Sequence, residues 1–354
     1  MKIDFLINSL SGGGAERVIT TIANGFSKKG YSVKLITFNH NEFYSTNPEI
    51  NRIKLHHGKI KNHSVRSLIN LFFFYLKSKN RPDVLVSFMP KTNSIAILVA
   101  KIFKIKVIIS EHSNHKVNVP NQTKWIRKNL YKYADWTTVL TSFDINFYQS
   151  LGANVTVMPN PIILPNTISN FQSRDKNILI AGSLNRFEIK GFDILLKIIA
   201  PILKTNPEWK LIIAGSGDKG QKILQNISKK LRIENNVIFT GFCDNMTELM
   251  QCSQIYVLSS KYEGLPMVLM EALSNGMSCI AYDCISGPRD LIVNMENGLL
   301  IENQNQDKMR EGINRLVTDN KLRISLAQNA PDTVRKYSLE NILKQWEFIM
   351  SKSI

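Results

Sequence analysis

Short apolar runs alternate with longer helical stretches along the whole chain. In the first half the runs are Lys2–Ile7, Ser32–Thr37, Val84–Phe88, Lys106–Ser110, Trp136–Leu140 and Val155–Met158. In the second they are Asn177–Ala181, Lys210–Ala214, Val237–Thr240, Gln254–Leu258 and Ser278–Tyr282. Strand-length runs separated by helix-length segments predict an α/β protein built on doubly wound parallel sheets. Between the two sets lies Pro159-Asn160-Pro161-Ile162-Ile163-Leu164-Pro165-Asn166, whose three prolines in seven residues predict a linker. At 354 residues the chain is also too long for one ordinary core. Two domains are therefore expected, residues 1–165 and 166–337.

The longest apolar stretch, Leu68–Leu76, falls far short of the ~20 residues that span a bilayer, so no transmembrane helix is expected. Met1–Leu10 combines a lysine with apolar residues, but Asp4 and Asn8 interrupt it. It predicts a first buried strand, not a signal peptide. The four cysteines, Cys243, Cys252, Cys279 and Cys284, form no Cys-x-x-Cys pair and have no histidine at metal spacing. They predict reduced thiols in a cytoplasmic protein and no metal site.

The formal net charge is +17, and its placement is uneven. Residues 1–170 contain 22 Lys and Arg against 8 Asp and Glu, whereas residues 171–354 contain 23 against 20. That asymmetry predicts an anionic partner for the first half, either nucleic acid or an anionic membrane surface. In Lys124–Trp136, helical phasing puts Trp125, Ile126, Leu130, Tyr133 and Trp136 on one arc and Lys124, Arg127, Lys128 and Lys132 opposite. Such a helix can lie on anionic lipid at the inner face of a membrane. It can equally pack its apolar side in a core and leave the basic side solvated. Arg52–Arg66 adds a second basic segment. No nucleic-acid motif accompanies these charges, so no nucleic-acid partner is expected.

The chemistry concentrates in Tyr262-Glu263-Gly264-Leu265-Pro266-Met267-Val268-Leu269-Met270-Glu271-Ala272-Leu273-Ser274-Asn275-Gly276. It follows an apolar strand and predicts a helix from Pro266 to Gly276, with proline at the first helical position and glycine just past the end. If helical throughout, Glu263 and Glu271 stand within about 80° of each other and ~12 Å apart along the axis. Two carboxylates can then hold two hydroxylated groups, with the free N–H groups of the helix start between them for an anion. A sugar, a diphosphate and a ribose fit that order. An isolated glutamate pair more often stabilises a helix start and faces solvent, so the context has to decide.

Four other segments supply that context. Ser9-Leu10-Ser11-Gly12-Gly13-Gly14-Ala15-Glu16-Arg17-Val18 follows the first strand, and its glycines allow close approach to a phosphate or sugar at a helix start. Ser110-Glu111-His112-Ser113-Asn114-His115 is a polar cluster at the C-terminal end of a strand, where open α/β sheets bind ligands. Ala181-Gly182-Ser183-Leu184-Asn185-Arg186-Phe187-Glu188-Ile189-Lys190-Gly191-Phe192-Asp193 is a loop with two cations. Cys284-Ile285-Ser286-Gly287-Pro288-Arg289-Asp290 and Glu296-Asn297-Gly298-Leu299-Leu300 follow the glutamate-bearing segment.

Together these segments resemble the retaining glycosyltransferases of family 4, similar to bacterial O-antigen, capsule and lipopolysaccharide sugar transferases. The family's second domain carries the same Glu, seven residues, Glu pattern at the end of a strand, and the resemblance extends over most of the chain. It implies the GT-B architecture, two Rossmann-like domains facing a cleft, with the C-terminal segment 338–354 returning to the first domain. The first domain then serves the acceptor and the second the nucleotide sugar. The implied catalytic residues are Glu263, Lys190, Arg186 and His112. The implied donor contacts are Gly13, Gly14, Ser183, Gly215, Gly264, Leu265, Pro266, Met267 and Glu271. His112 falls on the family's histidine that contacts the donor sugar. Lys190 matches the cation that holds the leaving diphosphate, but Ser183 stands where the family has an arginine, and Arg186 is the substitute in the same loop. The last two segments shape the cleft without a chemical role.

The resemblance further implies a nucleotide-diphosphate sugar substrate with UDP as the expected base, a saccharide or lipid-linked acceptor, and no metal or other cofactor. Gly215-Ser216-Gly217-Asp218-Lys219-Gly220 formally satisfies a dinucleotide fingerprint, but no acidic residue ends a strand ~20 positions later. A nucleotide-sugar 2-epimerase and a non-catalytic sugar or nucleotide binder remain as alternatives on the same fold.

Overall fold

A parallel strand covered on both faces needs apolar side chains on both, and each half of the chain meets that requirement. The structure, a computed structural model, describes residues 1–40 and 42–352. The last two residues of the expected C-terminal segment, 353 and 354, lie outside the described residues. The chain divides after Pro161 into two compact units, and the C-terminal helix from Leu339 belongs to the first.

The first unit runs β1 (Lys2–Ile7), α1 (Gly14–Lys28), β2 (Ser32–Thr37), β3 (Asn51–Lys54), α2 (His63–Leu76), β4 (Val84–Phe88), α3 (Pro90–Phe103), β5 (Lys106–Ser110), α4 (Asn121–Leu130), β6 (Trp136–Val139), α5 (Ile145–Ser150) and β7 (Val155–Val157). Its seven strands are parallel in the order β3-β2-β1-β4-β5-β6-β7. Neighbouring residues of β1 point to opposite faces. Phe5 meets Phe26 of α1, with ring centroids 6.1 Å apart, while Leu6 joins the cluster that contains Leu71 of α2, Ile97 of α3 and Ile126 of α4.

The second unit runs β8 (Asp175–Ala181), α6 (Phe187–Lys190), α7 (Phe192–Thr205), β9 (Lys210–Ala214), α8 (Asp218–Lys230), β10 (Val237–Gly241), α9 (Met246–Gln251), β11 (Ser253–Leu258), α10 (Met267–Ser274), β12 (Ser278–Asp283), α11 (Pro288–Leu291), β13 (Gly298–Glu302), α12 (Gln306–Thr318) and α13 (Asn320–Val334). Six parallel strands take the order β10-β9-β8-β11-β12-β13. The final helix, α14 (Leu339–Ser351), packs on α1, where Glu347 accepts from Lys29 at 2.5 Å and from the Tyr31 hydroxyl at 3.0 Å.

Three readings of the sequence need correction. Strands β3 and β13 were not expected. Both are edge strands, and β3 (Asn-Arg-Ile-Lys) has one apolar residue, so it shows no run. The amphipathic arc over Lys124–Trp136 does not form, because α4 stops at Leu130 and Trp136 pairs with Ile108 in the sheet. Ile126 is buried while Trp125 is exposed, and Arg127 is not part of a solvated basic face. It is buried against Glu111, Nη2 to Oε2 at 2.6 Å, because a carboxylate buried at the end of β5 needs a cation beside it. Finally, α10 starts at Met267 with Pro266 one position earlier, at the N-cap. Residues 263–266 are loop, so the helical spacing assumed between Glu263 and Glu271 does not hold.

Candidate active site

In an open parallel sheet the crevice lies where successive connections leave in opposite directions. In the second unit that point falls between β8 and β11, and the loops that leave these strands carry Lys190 and Glu263. Lys190 ends α6, and its Nζ lies 2.7 Å from Glu263 Oε1. Both side chains are largely shielded, 21% and 12% exposed. The two loops are fastened by one side-chain and one main-chain hydrogen bond: the Ser259 hydroxyl donates to the Lys190 carbonyl at 2.8 Å and the Lys261 N–H to the Ile189 carbonyl at 2.9 Å. Gly191 makes this approach possible. Its φ is +69°, and a Cβ there would stand 2.2 Å from the Ser259 carbonyl oxygen.

The glycines of the fingerprint-like segment have a packing role of the same kind. A Cβ at Gly215 would lie 1.9 Å from the Gly182 carbonyl oxygen, and one at Gly220 would lie 1.8 Å from that of Leu184. These glycines press the loop after β9 onto the loop after β8, which accounts for the pattern without a dinucleotide.

Helix α10 opens at the same crevice. Gly264 is held by the Ser286 hydroxyl, which donates to its carbonyl at 3.1 Å, and Leu265 and Pro266 are buried beneath it. Met267 begins the helix, and Glu271 follows on its second turn, half-buried. The helix ends as a Schellman motif: Met277 N–H donates to the Ala272 carbonyl and Gly276 N–H to that of Leu273, with Gly276 at φ +63°. Ser183 and Arg186 are both exposed. The Arg186 N–H donates to the Ser183 carbonyl at 3.0 Å, so the arginine shares the Lys190 loop.

Sequence reasoning missed two residues here. Burial pushes the hydroxyl of Tyr256, a fully buried side chain of β11, well above its ordinary range, and Glu263, Cys279 and Glu271 push the same way. Burial raises the Cys284 thiol to about 12, with Glu263 adding and Lys190 opposing. The only sequence signal for Tyr256 is a hydroxyl inside an apolar strand.

The first unit has its own crevice, between β1 and β4. A cavity of about 690 Å³ opens there, bordered by the starts of α1, α2, α3 and α4. Gly13 and Gly14 line it with Glu16, whose Oε2 accepts from the Gly13 N–H at 2.9 Å. A Cβ on Gly14 would meet nothing within 4 Å, so this backbone stands open to an occupant. His63, Lys91 and Arg127, also on the wall, were not singled out from the sequence as cavity residues. His112 lies at the end of β5, stacked on Phe88 at 4.5 Å, with Nε2 3.1 Å from the Ser110 hydroxyl. Burial pushes its pKa down to about 3, against the opposing effect of a hydrogen bond with Asn160, so the imidazole is neutral near pH 7. Among the described residues no cluster of three His, Cys, Asp or Glu side chains is placed to hold a metal ion.

A crevice that offers a shielded cation, a helix start and two carboxylates can hold an anion flanked by hydroxylated groups. Comparison with known proteins gives the same class. Residues 166–333 match the model of glycosyl transferases group 1, and residues 12–164 match that of Glycosyltransferase Family 4. The chain is 32% identical to a Campylobacter jejuni protein, "GalNAc-alpha-(1->4)-GalNAc-alpha-(1->3)-diNAcBac-PP-undecaprenol alpha-1,4-N-acetyl-D-galactosaminyltransferase", over 98% of this chain and 97% of that one. It is 31% identical to the amylovoran biosynthesis glycosyltransferase AmsD of Erwinia amylovora, over 99% of each. Among solved structures, Anabaena HepE in complex with UDP superposes with a TM-score of 0.84 at 17% identity, covering 99% of this chain and 100% of that one. The chain belongs to glycosyltransferase family 4: it is a glycosyltransferase with the GT-B fold. Among the described residues no helix is long and apolar enough to cross a membrane.

Proposed function

We propose that this enzyme moves a hexosyl or N-acetylhexosaminyl group, with retention of configuration, from a UDP-sugar to a lipid-linked or saccharide acceptor in bacterial surface-polysaccharide synthesis. The observation that carries this reading is the Lys190–Glu263 pair, set at the β8/β11 switch point beside the start of α10. A diphosphate draws the Lys190 ammonium to itself, which releases Glu263 to accept from hydroxyls of the transferred sugar. Arg186 and the backbone N–H groups at Gly264–Met267 share the charge that builds on the β-phosphate as the glycosidic bond breaks. Glu271, one turn into α10, accepts from the ribose hydroxyls. Gly215 and Ser183 bring backbone close to the nucleotide.

His112, neutral near pH 7, hydrogen-bonds the donor sugar without adding charge. The leaving phosphate assists deprotonation of the attacking acceptor hydroxyl on the same face of the sugar, which retains configuration. In this scheme Lys190 and the helix start supply the positive charge, so no divalent metal is needed. The second domain (166–337) serves the donor and the first (1–165, with Gly13 and Gly14) the acceptor. The setting is the cytoplasmic side of the membrane. The names of the C. jejuni and E. amylovora relatives support the acceptor class.

A thermal-shift panel of UDP-, GDP- and ADP-sugars, with and without magnesium, tests the donor. One UDP-sugar is expected to stabilise the enzyme with or without the metal. Transfer of that sugar to a polyprenyl-diphosphate-linked saccharide, with the anomeric configuration read by NMR, tests the rest. No response to any nucleotide sugar, or an inverted product, overturns the reading.

A further inference from the structure

One row of side chains across the first sheet builds a seat for His112. Phe88, Ser110 and Thr138 are register partners near the ends of β4, β5 and β6, so their side chains leave the sheet on the same face. All three are buried. Phe88 stacks on the imidazole with centroids 4.5 Å and planes 21° apart, and Trp346 of α14 stacks with Phe88 at 6.4 Å and 20°. These rings fix the plane of His112. Its edge is held by Ser110, whose Oγ lies 3.1 Å from Nε2.

Two hydroxyls decide where the proton of that contact sits. Thr138 Oγ1 donates to Ser110 Oγ at 2.8 Å, and its alternative acceptor, the Ile109 carbonyl, stands at 3.4 Å. With the shorter bond made, the Ser110 oxygen has received a proton, and its own O–H turns to Nε2. The reverse order, Nε2–H donating to Ser110 and Ser110 to Thr138, leaves a buried Thr138 hydroxyl with only the long bond. Nε2 is therefore an acceptor, and in the neutral ring the proton sits on Nδ1. Asn160, a further polar neighbour, favours the protonated ring, as an oxygen facing a ring N–H does.

We propose that Ser110 and Thr138 are positioning residues that lock His112 in the Nδ1–H tautomer, so that it meets the donor sugar as a hydrogen-bond donor. The inference rests on the proposed contact between His112 and the sugar, and adds the atom, its proton and the two residues that set it. The bond made by one ring nitrogen decides what the other can do. A neutral N–H aimed in advance gives a sugar oxygen its partner without reorganisation of the ring.

Long-range proton–nitrogen NMR of the full chain without ligand, with the ring assigned by its loss in His112→Ala, reads the tautomer directly. Near neutral pH the wild type is expected to show a protonated Nδ1 and a bare Nε2. Ser110→Ala and Thr138→Val should each give mixed tautomers and lower kcat/KM for the donor about tenfold, whereas Thr138→Ser, which keeps the hydroxyl, should match the wild type in both. Ser150→Ala, exposed on α5, is the control for ordinary loss of a hydroxyl. Melting curves establish that each variant is folded. An Nε2–H ring in the wild type overturns the proposal, and so do folded Ser110→Ala and Thr138→Val enzymes that keep the wild-type tautomer or the wild-type kcat/KM. Full transfer by His112→Ala sinks the sugar contact in the proposed function, whereas an Nε2–H ring in an enzyme that needs His112 sinks this proposal alone.

Discussion

Replacing Lys190 with methionine separates what its ammonium does for the fold from what it does for the reaction. In the ligand-free protein the ion pair with Glu263 spans 2.7 Å, and its side chains keep 21% and 12% of their exposure. A partly screened pair of this kind contributes at most about 1 kcal/mol, and leaving Glu263 without the ammonium adds a cost of similar size. The melting temperature of the variant should therefore drop by only a few degrees. In the transition state the same ammonium faces charge building on the leaving phosphate. Loss of one such donor from a shielded site lowers kcat by ~10²–10³, equivalent to roughly 3–4 kcal/mol. Initial rates across a donor titration, with melting curves on the same preparations, compare the two effects. Lys197→Met, on the exposed side of α7, is the control. A kcat within about threefold of wild type refutes the assignment of Lys190 to the leaving group. A Glu263→Gln variant extends the test: it should also lose transfer, and the double variant should lose less than the product of the two single losses.

Glu271→Gln should raise the donor KM about tenfold or more through a weakened bond to the ribose, with kcat nearly unchanged, and equal KM values would remove Glu271 from the donor site. Gly191→Ala should cost roughly 3 kcal/mol or more in urea unfolding, because the new Cβ needs space 2.2 Å from the Ser259 carbonyl oxygen at φ +69°. Asp4, buried beside the Tyr75 hydroxyl, is raised by desolvation from 3.8 to about 6. Its native state therefore holds a proton more tightly than the unfolded chain, and stability is lost as pH rises from about 4 to about 6, by roughly 3 kcal/mol in all. Asp4→Asn should remove that slope, which urea unfolding at a series of pH values reads. His112 should show no imidazolium signal by NMR down to about pH 5, because burial holds its pKa near 3.

The sequence located strands well where a strand is buried on both faces, since Phe5-Leu6-Ile7 or Ile255-Tyr256-Val257-Leu258 has to be apolar throughout to satisfy helices on either side. It was silent on β3, whose Asn-Arg-Ile-Lys has one apolar residue, and on β13, where the run Leu299-Leu300-Ile301 is only three residues long. Lys190 and Glu263 were legible as separate motifs, and their meeting was not. They are 73 positions apart, and what joins them is a pair of hydrogen bonds to main-chain carbonyls and the left-handed Gly191, none of which alters composition or period.

The Lys124–Trp136 segment shows why helical phasing misled. A wheel assigns Arg127 to a basic face by its angle alone, but the partner that fixes Arg127 is Glu111, just past the end of β5 and sixteen residues earlier. Removing Arg127 from the solvated charge weakens the case for α4 as a membrane helix. On α2 burial assigns each position directly: Ser67, Asn70, Leu71 and Tyr75 are the ones inside, with Leu68, Phe72 and Phe74 packed against the same core. An apolar stripe on a helix is evidence for a core only until the opposite side is seen to be in the core already. Asn70 sits inside because its amide bonds the carbonyls of Leu55 and His57, while Phe73 and Leu76 stand exposed on the opposite side.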